Sequence, residues 1–501
     1  MQDFIYIDKL SFTYTNCSES LFNSLSFQLQ PGWTGIVGPN GSGKTTLLKL
    51  LTNLLQPVSG FINFNGIRYY CEQRTDFIPS QFKAFIQSHN KEAFRLKNNL
   101  QIQDEWISSW DHLSHGERKR CQIASALFCN PELLAIDEPS NHLDLNSRQI
   151  LFNTLMSYYG IGILVSHDRY LLDNLCTQII FINKNDIETY KCNYSNAVME
   201  REKLHQANIH QLNVVKKEIK KLKRKINKQR GKADQADSLR SKKSINGKDH
   251  DAKSKKDLAR LSGKDKIAGQ IHKRMVKHLD RTIQSKDAIH IEKSYDLGIQ
   301  FNASGSHRYF PIIISSDQIE LTNGKKLIFP EVIIQQGNKI GITGENGCGK
   351  STFIKYIIKN IDIPPEKFIY IPQEIPVEQS KFMINRIQKF HNIEKGQIMG
   401  LIRHLGSDPF HILETSVPSP GEIRKLMLAE GIMKNPAMII MDEPTNHMDL
   451  PSIECIESAL NECNCSQLLI SHDLQFLQNI VGEFWDFHQK SDQEYHIMLK
   501  S

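Results

Sequence analysis

Apolar residues in this chain gather in short continuous runs separated by polar and glycine-rich stretches. Trp33–Val37 and Lys339–Thr343 are two such runs, each ending in a Gly-rich turn. Leu133–Ile136 and Met438–Met441 are shorter and wholly apolar, and Ile161–Val165 and Gln467–Ile470 have the same character. Runs of this length bounded by turn residues predict strands, and unbroken ones predict strands buried on both faces of a parallel sheet. Thr46–Leu55 and Thr352–Ile358 switch to helix-like spacing directly after the Gly-rich turns. Strand, Gly-rich loop, helix is the order that a phosphate-binding loop needs.

The middle of the chain follows another rhythm. Leu212, Val215, Ile219, Leu222 and Ile226 are spaced 3-4-3-4, and Ile267, Ile271, Met275, Leu279 and Ile283 recur every four. Both stripes predict helices, the first of coiled-coil type. Gly231 to Gly247 lies between them and is polar and punctuated by glycine. The expectation is an antiparallel helical hairpin with a basic tip.

An internal repeat frames these elements. Gly38-Pro39-Asn40-Gly41-Ser42-Gly43-Lys44-Thr45 returns as Gly344-Glu345-Asn346-Gly347-Cys348-Gly349-Lys350-Ser351. Ile136-Asp137-Glu138-Pro139-Ser140-Asn141-His142-Leu143-Asp144 returns as Met441-Asp442-Glu443-Pro444-Thr445-Asn446-His447-Met448-Asp449, and Ser166-His167-Asp168 as Ser471-His472-Asp473. The order is kept and the offset stays near 305 residues. The expected organisation is one α/β phosphate-binding-loop domain over 1–199, a helical linker over 200–290 and a second such domain over 291–501.

Charge sharpens the picture of the linker. The whole chain of 501 residues carries a modest net +7, but residues 201–290 hold 27 Lys/Arg against 10 Asp/Glu. The remainder is therefore acidic, and the asymmetry points to a polyanionic partner for the linker. Its scarcity of aromatic residues favours phosphate contact with folded RNA over base stacking. Solvated charges on a coiled coil are the plain alternative. No run reaches the roughly 18 apolar residues of a membrane helix, and MQDFIYIDKL does not read as a secretory signal. A cytosolic protein that makes no pore by itself is expected. Cys463-Asn464-Cys465 does not have the spacing of half a zinc site, so reduced thiols are expected throughout.

The repeated residues suit one chemistry. Glycines let a loop curl its N–H groups around phosphate oxygens, helped by the helix N-terminus. Lys44 and Lys350 add charge at the β- and γ-phosphates, and Thr45 and Ser351 offer a hydroxyl to Mg²⁺. Asp137–Glu138 and Asp442–Glu443 are carboxylate pairs at strand ends. The Asp can hold the Mg²⁺ shell while the Glu orients or deprotonates water. His167 and His472 follow strands and can contact a γ-phosphate. Gln73 and Gln373, also after strands, can reach the metal.

In motif order the chain resembles the ATP-binding-cassette superfamily, whose signature reads Leu-Ser-Gly-Gly-Glu. Here it stands as Leu113-Ser114-His115-Gly116-Glu117 and Pro418-Ser419-Pro420-Gly421-Glu422, with His115 and Pro420 in place of the first Gly. The resemblance implies two composite ATP sites at an interface between cassettes. One joins Lys44, Thr45, Thr46, Gln73, Asp137, Glu138 and His167 with Ser419, Gly421 and Glu422. The other joins Lys350, Ser351, Thr352, Gln373, Asp442, Glu443 and His472 with Ser114, Gly116 and Glu117. Both glutamates being present implies that both sites hydrolyse ATP. Tyr14, or Phe12, is a candidate to stack on adenine in the first cassette. No equal candidate stands near Leu321–Leu327.

Both cassettes in one chain, the Asn-His-Leu-Asp and Asn-His-Met-Asp segments and the basic linker resemble the F subfamily. That resemblance implies a ribosome-associated ATPase whose linker enters near the tRNA exit site and reaches toward the peptidyl-tRNA. It also allows a subcase of antibiotic resistance by ribosome protection. Only about 40 residues separate Gln73 from Leu113, too few for the insertion that many members carry there. The energy subunit of a membrane importer and a DNA-handling ATPase are the alternative readings.

Overall fold

The computed structural model describes residues 4–240 apart from 16, 17, 142, 184 and 185; 264–287; and 307–500 apart from 322, 323, 408, 410, 411, 413–417 and 492. The chain forms two compact units, Met1–Ala197 with Tyr295–Ser501, and Val198–Ser294. The first unit contains both repeats.

In the first repeat a six-stranded sheet runs in the order Arg68–Cys71, Leu133–Asp137, Ile161–Val165, Gly32–Val37, Cys176–Asn183, Asp186–Tyr190. All neighbours are parallel except the last pair. Leu133–Asp137 and Ile161–Val165 are buried at every position, which is why they read as unbroken apolar runs. A separate antiparallel sheet of Phe22–Leu29, Ile5–Phe12 and Ser59–Asn63 contributes Ile5, Ile7, Leu25 and Leu29 to the same core.

The second repeat repeats the parallel core in an eight-stranded sheet. Its order is Asp317–Glu320, Lys326–Phe329, Glu494–Lys500, Glu483–Ser491, Lys339–Gly344, Ser466–Ile470, Met438–Asp442, Phe368–Ile371. The five strands from Glu483–Ser491 onward are mutually parallel. In each sheet the strand before the Gly-rich loop is central, so loop, carboxylate pair and histidine all leave from the same sheet edge. Carboxyl ends of parallel strands are where open α/β sheets bind ligands.

The helix after the first loop is Lys44–Leu51, shorter than its apolar spacing predicts. Thr52 Oγ1 bonds back to Leu48 O at 2.8 Å, and Asn53 then turns into the left-handed region with φ 61°. The second, Lys350–Asn360, runs longer than predicted. Both begin after a glycine at a φ that L-residues rarely adopt, Gly43 at 95° and Gly349 at 100°. A Cβ on Gly43 would also lie 2.7 Å from the Phe22 ring.

One helix spans Tyr194–Arg240, all but its first four residues in the second unit, and a second spans Lys264–Asp287. They touch where His278 Nε2 lies 3.4 Å from Glu218 Oε1 and where Leu222 and Thr282 become buried. The expected break at Gly231 does not occur. The helix runs through it, because one glycine costs only about 1 kcal/mol and Ala233, Gln235, Ala236 and Leu239 are acceptable helix residues. The rest of the expected tip, from 241 to Gly247, lies outside the described residues. Among the described residues no helix is long and apolar enough to cross a membrane. The described cysteines carry free thiols.

Candidate functional site

The first Gly-rich loop wraps its own lysine. Lys44 Nζ donates to Gly38 O at 2.8 Å and Pro39 O at 3.1 Å, which places the ammonium at the centre of the loop. Thr45 Oγ1 donates to Asp137 Oδ2 at 2.6 Å, and Tyr70 OH donates to the same oxygen at 3.2 Å. Tyr14 OH pairs with Thr46 Oγ1 at 2.8 Å, and its ring stands edge-on to Phe12. Tyr14, Lys44, Thr45, Thr46 and Asp137, with Asn40, Gly41, Gln73, Glu138, Asn141, His167 and His447, line a cleft of about 340 Å³.

Glu138 has an unusual backbone. Its φ is 45°, left-handed for a residue with a Cβ, and its N–H donates to Val165 O at 2.8 Å. Such a conformation costs on the order of 1–3 kcal/mol and is held by its surroundings. It turns the carboxylate toward the histidine. His167 N donates to Glu138 Oε2 at 3.2 Å, and His167 Nε2 lies 3.1 Å from Oε1 without hydrogen-bond alignment. Burial, and then Asp137 beside it, pushes the Glu138 carboxyl up to about 8. Burial and the Lys44 charge push His167 down to about 3, so the imidazole is neutral.

The second repeat rebuilds this arrangement. Lys350 Nζ donates to Gly344 O at 2.7 Å and Glu345 O at 2.8 Å, and Ser351 hydrogen-bonds Asp442. Glu443 has φ 49°, and His472 N donates to its Oε2 at 3.3 Å. His472 Nε2 also meets Asn346 Oδ1 at 2.9 Å. Burial pushes Glu443 up to about 7 and His472 down to about 3. Buried Cys348 stands where the first repeat has Ser42. Thr352 is exposed, whereas Thr46 is buried beneath Tyr14.

A hydroxyl and a carboxylate converging on one point are the hard oxygen donors that suit Mg²⁺, which keeps waters and phosphate oxygens as its other ligands. Among the described residues no group of three His, Cys, Asp or Glu could cage an ion alone. Thr45 with Asp137, and Ser351 with Asp442, fit a Mg²⁺ whose other ligands come from phosphate and water. Loop amides, a central lysine and a second carboxylate beside the first are groups of the kind that nucleotide hydrolysis uses.

Comparison with known proteins agrees. The family profile described as "ABC transporter" matches residues 22–141 and again 330–446. The chain is a tandem ATP-binding-cassette ATPase. Its sequence is 29% identical over 493 residues to "Ribosome protection protein VmlR" of Bacillus subtilis (strain 168), covering 94% of this chain and 85% of that one. It is 28% identical to "Erythromycin resistance ATP-binding protein MsrA" of Staphylococcus epidermidis, covering 91% and 92%, and 27% identical to "ATP-binding protein Uup" of Buchnera aphidicola, covering 91% and 75%. In fold it is similar to the solved structure titled "RNase-L Inhibitor", with TM-score 0.62, 17% identity and coverage of 98% of this chain and 90% of that one.

The two cassettes of the ATPase meet across their clefts. Asn40 N donates to Asp449 Oδ2 at 2.7 Å, and Asn346 N to Asp144 Oδ2 at 3.5 Å. Each Gly-rich loop is thus touched by the segment that follows the other cassette's carboxylate pair. Ser419 and Gly421 do not themselves line the first cleft. They sit one step behind it, since a Cβ on Gly421 would lie 3.2 Å from His447 O and His447 lines the cleft. Gly116 packs likewise against Leu143. His142, the counterpart of His447, lies outside the described residues.

Glu117 and Glu422 turn away from the role implied by resemblance. Glu117 Oε2 accepts from Ser114 N and Oγ, both at 2.8 Å, while Ser114 Oγ accepts from Glu117 N at 3.3 Å. Ser419 and Glu422 do the same. Each pair is a capping box for the helix it starts, and this fixes the signature serine at the helix N-terminus. Gln73 lines the first cleft, and the carbonyl of Gln373 accepts from Arg424.

Sequence reasoning missed four cations. Lys119 and Arg424, each five residues after the signature serine, are buried inside their cassettes. Lys119 Nζ donates to Glu72 O at 2.6 Å and Asp137 O at 3.2 Å; Arg424 donates to Gln373 O and Asn446 O. A cation on the helix face that otherwise packs inward was the available signal. Arg148 and Arg169 cross between cassettes. Arg169 forms a buried fork with Glu457, at 2.6 and 3.3 Å. No local pattern marks such partners 288 residues apart.

Proposed function

We propose that this ATPase works on the ribosome, with ATP binding closing its cassettes and hydrolysis reopening them. The observation that carries the reading is a basic groove on the linker helix, lined by Lys217, Lys220, Lys221, Arg224, Lys225 and Lys228. Six cations on one helix face match a phosphate backbone, and their contribution should fall steeply with salt. Relatives named for ribosome protection and for erythromycin resistance support the same direction. In this reading the chain is a cytoplasmic protein with cassettes at 1–199 and 291–501 and an RNA-contacting hairpin at 200–290. The hairpin enters near the tRNA exit site and touches rRNA and tRNA. Resistance to a ribosome-directed drug is the form of this function that the relatives' names favour.

Within the clefts, Lys44 and Lys350 take the phosphates. Thr45, Asp137 and Gln73, with Ser351, Asp442 and Gln373, hold Mg²⁺. Glu138 and Glu443 orient or deprotonate the attacking water. Their raised carboxyls are suited to accepting a proton near neutral pH. His167 and His472, neutral and poised as donors, contact the γ-phosphate. Ser114 and Ser419 reach it from the opposite cassette on closure, and Tyr14 stacks on adenine.

The test is sedimentation with ribosomes in ATP. The double variant Glu138→Gln/Glu443→Gln binds but does not hydrolyse, so it should pellet with ribosomes far more than the parent. Pelleting no better than the parent would end the ribosomal reading. The same variant bound to duplex DNA or to a membrane protein instead would replace it.

A further inference from the structure

One guanidinium in the cassette interface touches both histidine loops. Arg148 lies on the helix Leu145–Leu155 of the first cassette. Its Nη1 lies 3.2 Å from Asp168 Oδ2, the residue after His167. Its Nη2 donates at 2.7 Å to the backbone carbonyl of His472 in the second cassette. The fork is fixed rather than floppy. Both side chains of the ion pair are largely buried, and the guanidinium stacks over Tyr170 at 5.7 Å. Asp168 is anchored too, since its other oxygen caps the next helix at Tyr170 N and Leu171 N.

The second cassette cannot return this contact. At the offset of 305 residues that relates Asp144 to Asp449, Arg148 corresponds to Ile453, a buried side chain with no donor. Ile453 therefore offers the His167 carbonyl no guanidinium of the kind that Arg148 offers His472. The other interface arginine, Arg169, spends its fork on the Glu457 carboxylate, two residues beyond His167. Its counterpart is Leu474, and that of Glu457 is Phe152. Arg148 and Arg169 thus both reach across from the first cassette, and of these two Arg148 grips the His472 loop.

We infer that Arg148 is a positioning residue for ATP hydrolysis in the second cleft, holding the His472 loop from the opposite cassette and tying it to the loop that carries His167. His472 must keep its main-chain N–H on Glu443 while its ring meets Asn346. The Arg148 bond sets the orientation of the peptide that follows. In the first cleft Arg148 meets only the Asp168 side chain, which Tyr170 N and Leu171 N hold independently, so hydrolysis there should change little when Arg148 is lost. The assignment rests on the reading of Glu443 and His472 as working residues of the second cleft.

The experiment is first-turnover hydrolysis of γ-labelled ATP in the full chain. Glu138→Gln leaves the second cleft as the hydrolytic one, and Glu443→Gln leaves the first. Arg148→Met should slow the first turnover about tenfold in the Glu138→Gln background, the scale of one charge-assisted hydrogen bond. In the Glu443→Gln background it should change the rate less than twofold. The loss should fall on the rate and not on the ATP concentration at half-saturation. Equal slowing in both backgrounds, or none, overturns the inference. Arg148→Lys keeps the charge and the fold but cannot span both partners, and should slow the second cleft about threefold. A folded Arg148→Lys with parental rates in both backgrounds also overturns it. His472→Ala in the Glu138→Gln background separates the two failures. If it leaves the turnover intact, the reading of the cleft is wrong; if it abolishes the turnover while Arg148→Met does nothing, only the inference is.

Discussion

The two clefts hold the same working atoms in different frames. Each has a lysine coiled into its own loop, a hydroxyl against an aspartate and a glutamate forced to positive φ beside a neutral histidine. Around these atoms the cassettes part company. The first has Tyr14 over Thr46, Lys119 under its carboxylate strand and His115 in its signature. The second has an exposed Thr352, Arg424 in place of lysine and Pro420 in its signature. Duplication keeps the loop, the carboxylate pair and the histidine, and lets drift the residues packed around them.

The widest break in that comparison would come from the glutamates. If both clefts hydrolyse ATP, Glu138→Gln and Glu443→Gln should each lower the first turnover of their own cleft about a thousandfold, within the range for a lost general base. The parent's burst should correspond to two phosphates per chain and each single variant's to one. A single variant that keeps the full burst would show that one cleft binds ATP without hydrolysing it.

Next in size is the interface. Arg169 and Glu457 form a buried ion pair for which Leu474 and Phe152 are the apolar counterparts. Glu457→Ala strands a buried guanidinium and should cost about 3 kcal/mol in denaturant unfolding of the full chain. Phe152→Ala, half-buried against Tyr170, should cost clearly less. Arg169→Met/Glu457→Leu together should recover most of the loss, since paired apolar replacements remove the stranded charge.

The difference in adenine contacts gives a smaller effect. In a Lys350→Ala background, where the first cleft carries the binding, Tyr14→Ala should weaken a fluorescent ATP analogue by about three- to tenfold, the value of one lost stacking ring. In a Lys44→Ala background the same change should leave binding by the second cleft unaltered. Equal weakening in both would mean that Tyr14 acts through the interface.

Much of this was legible because it is local. Loop glycines, strand-end carboxylates and the histidine each belong to a short run whose spacing carries its geometry. The length of a helix was less so: Thr46–Leu55 keeps apolar spacing past Leu51, and only the turn at Asn53 stops it. Gly231 misled in the other direction, because its neighbours carry the helix across it. The capping role of Glu117 and Glu422 was readable as Ser-x-x-Glu, but the family resemblance drew attention to phosphate instead. Arg148, Arg169, Asp144 and Asp449 were hidden because their partners lie hundreds of residues away and are set by how the cassettes meet.

The smallest effect separates Lys119 from Arg424 by pH alone. Both sit in the same place, but only the lysine can lose its proton in an accessible range. Burial lowers Lys119 to about 8, against 10.5 for the ordinary side chain. Between those values the unfolded chain binds more protons than the folded one, so stability rises with pH. Relative to Lys119→Met, the parent should gain on the order of 1–2 kcal/mol between pH 8 and pH 10 in denaturant unfolding. The difference between the parent and Arg424→Met should stay flat across the same interval, because a guanidinium remains charged throughout. A parallel rise in both would place the titrating group elsewhere; a flat Lys119 comparison would mean that Glu72 O and Asp137 O hold the ammonium charged.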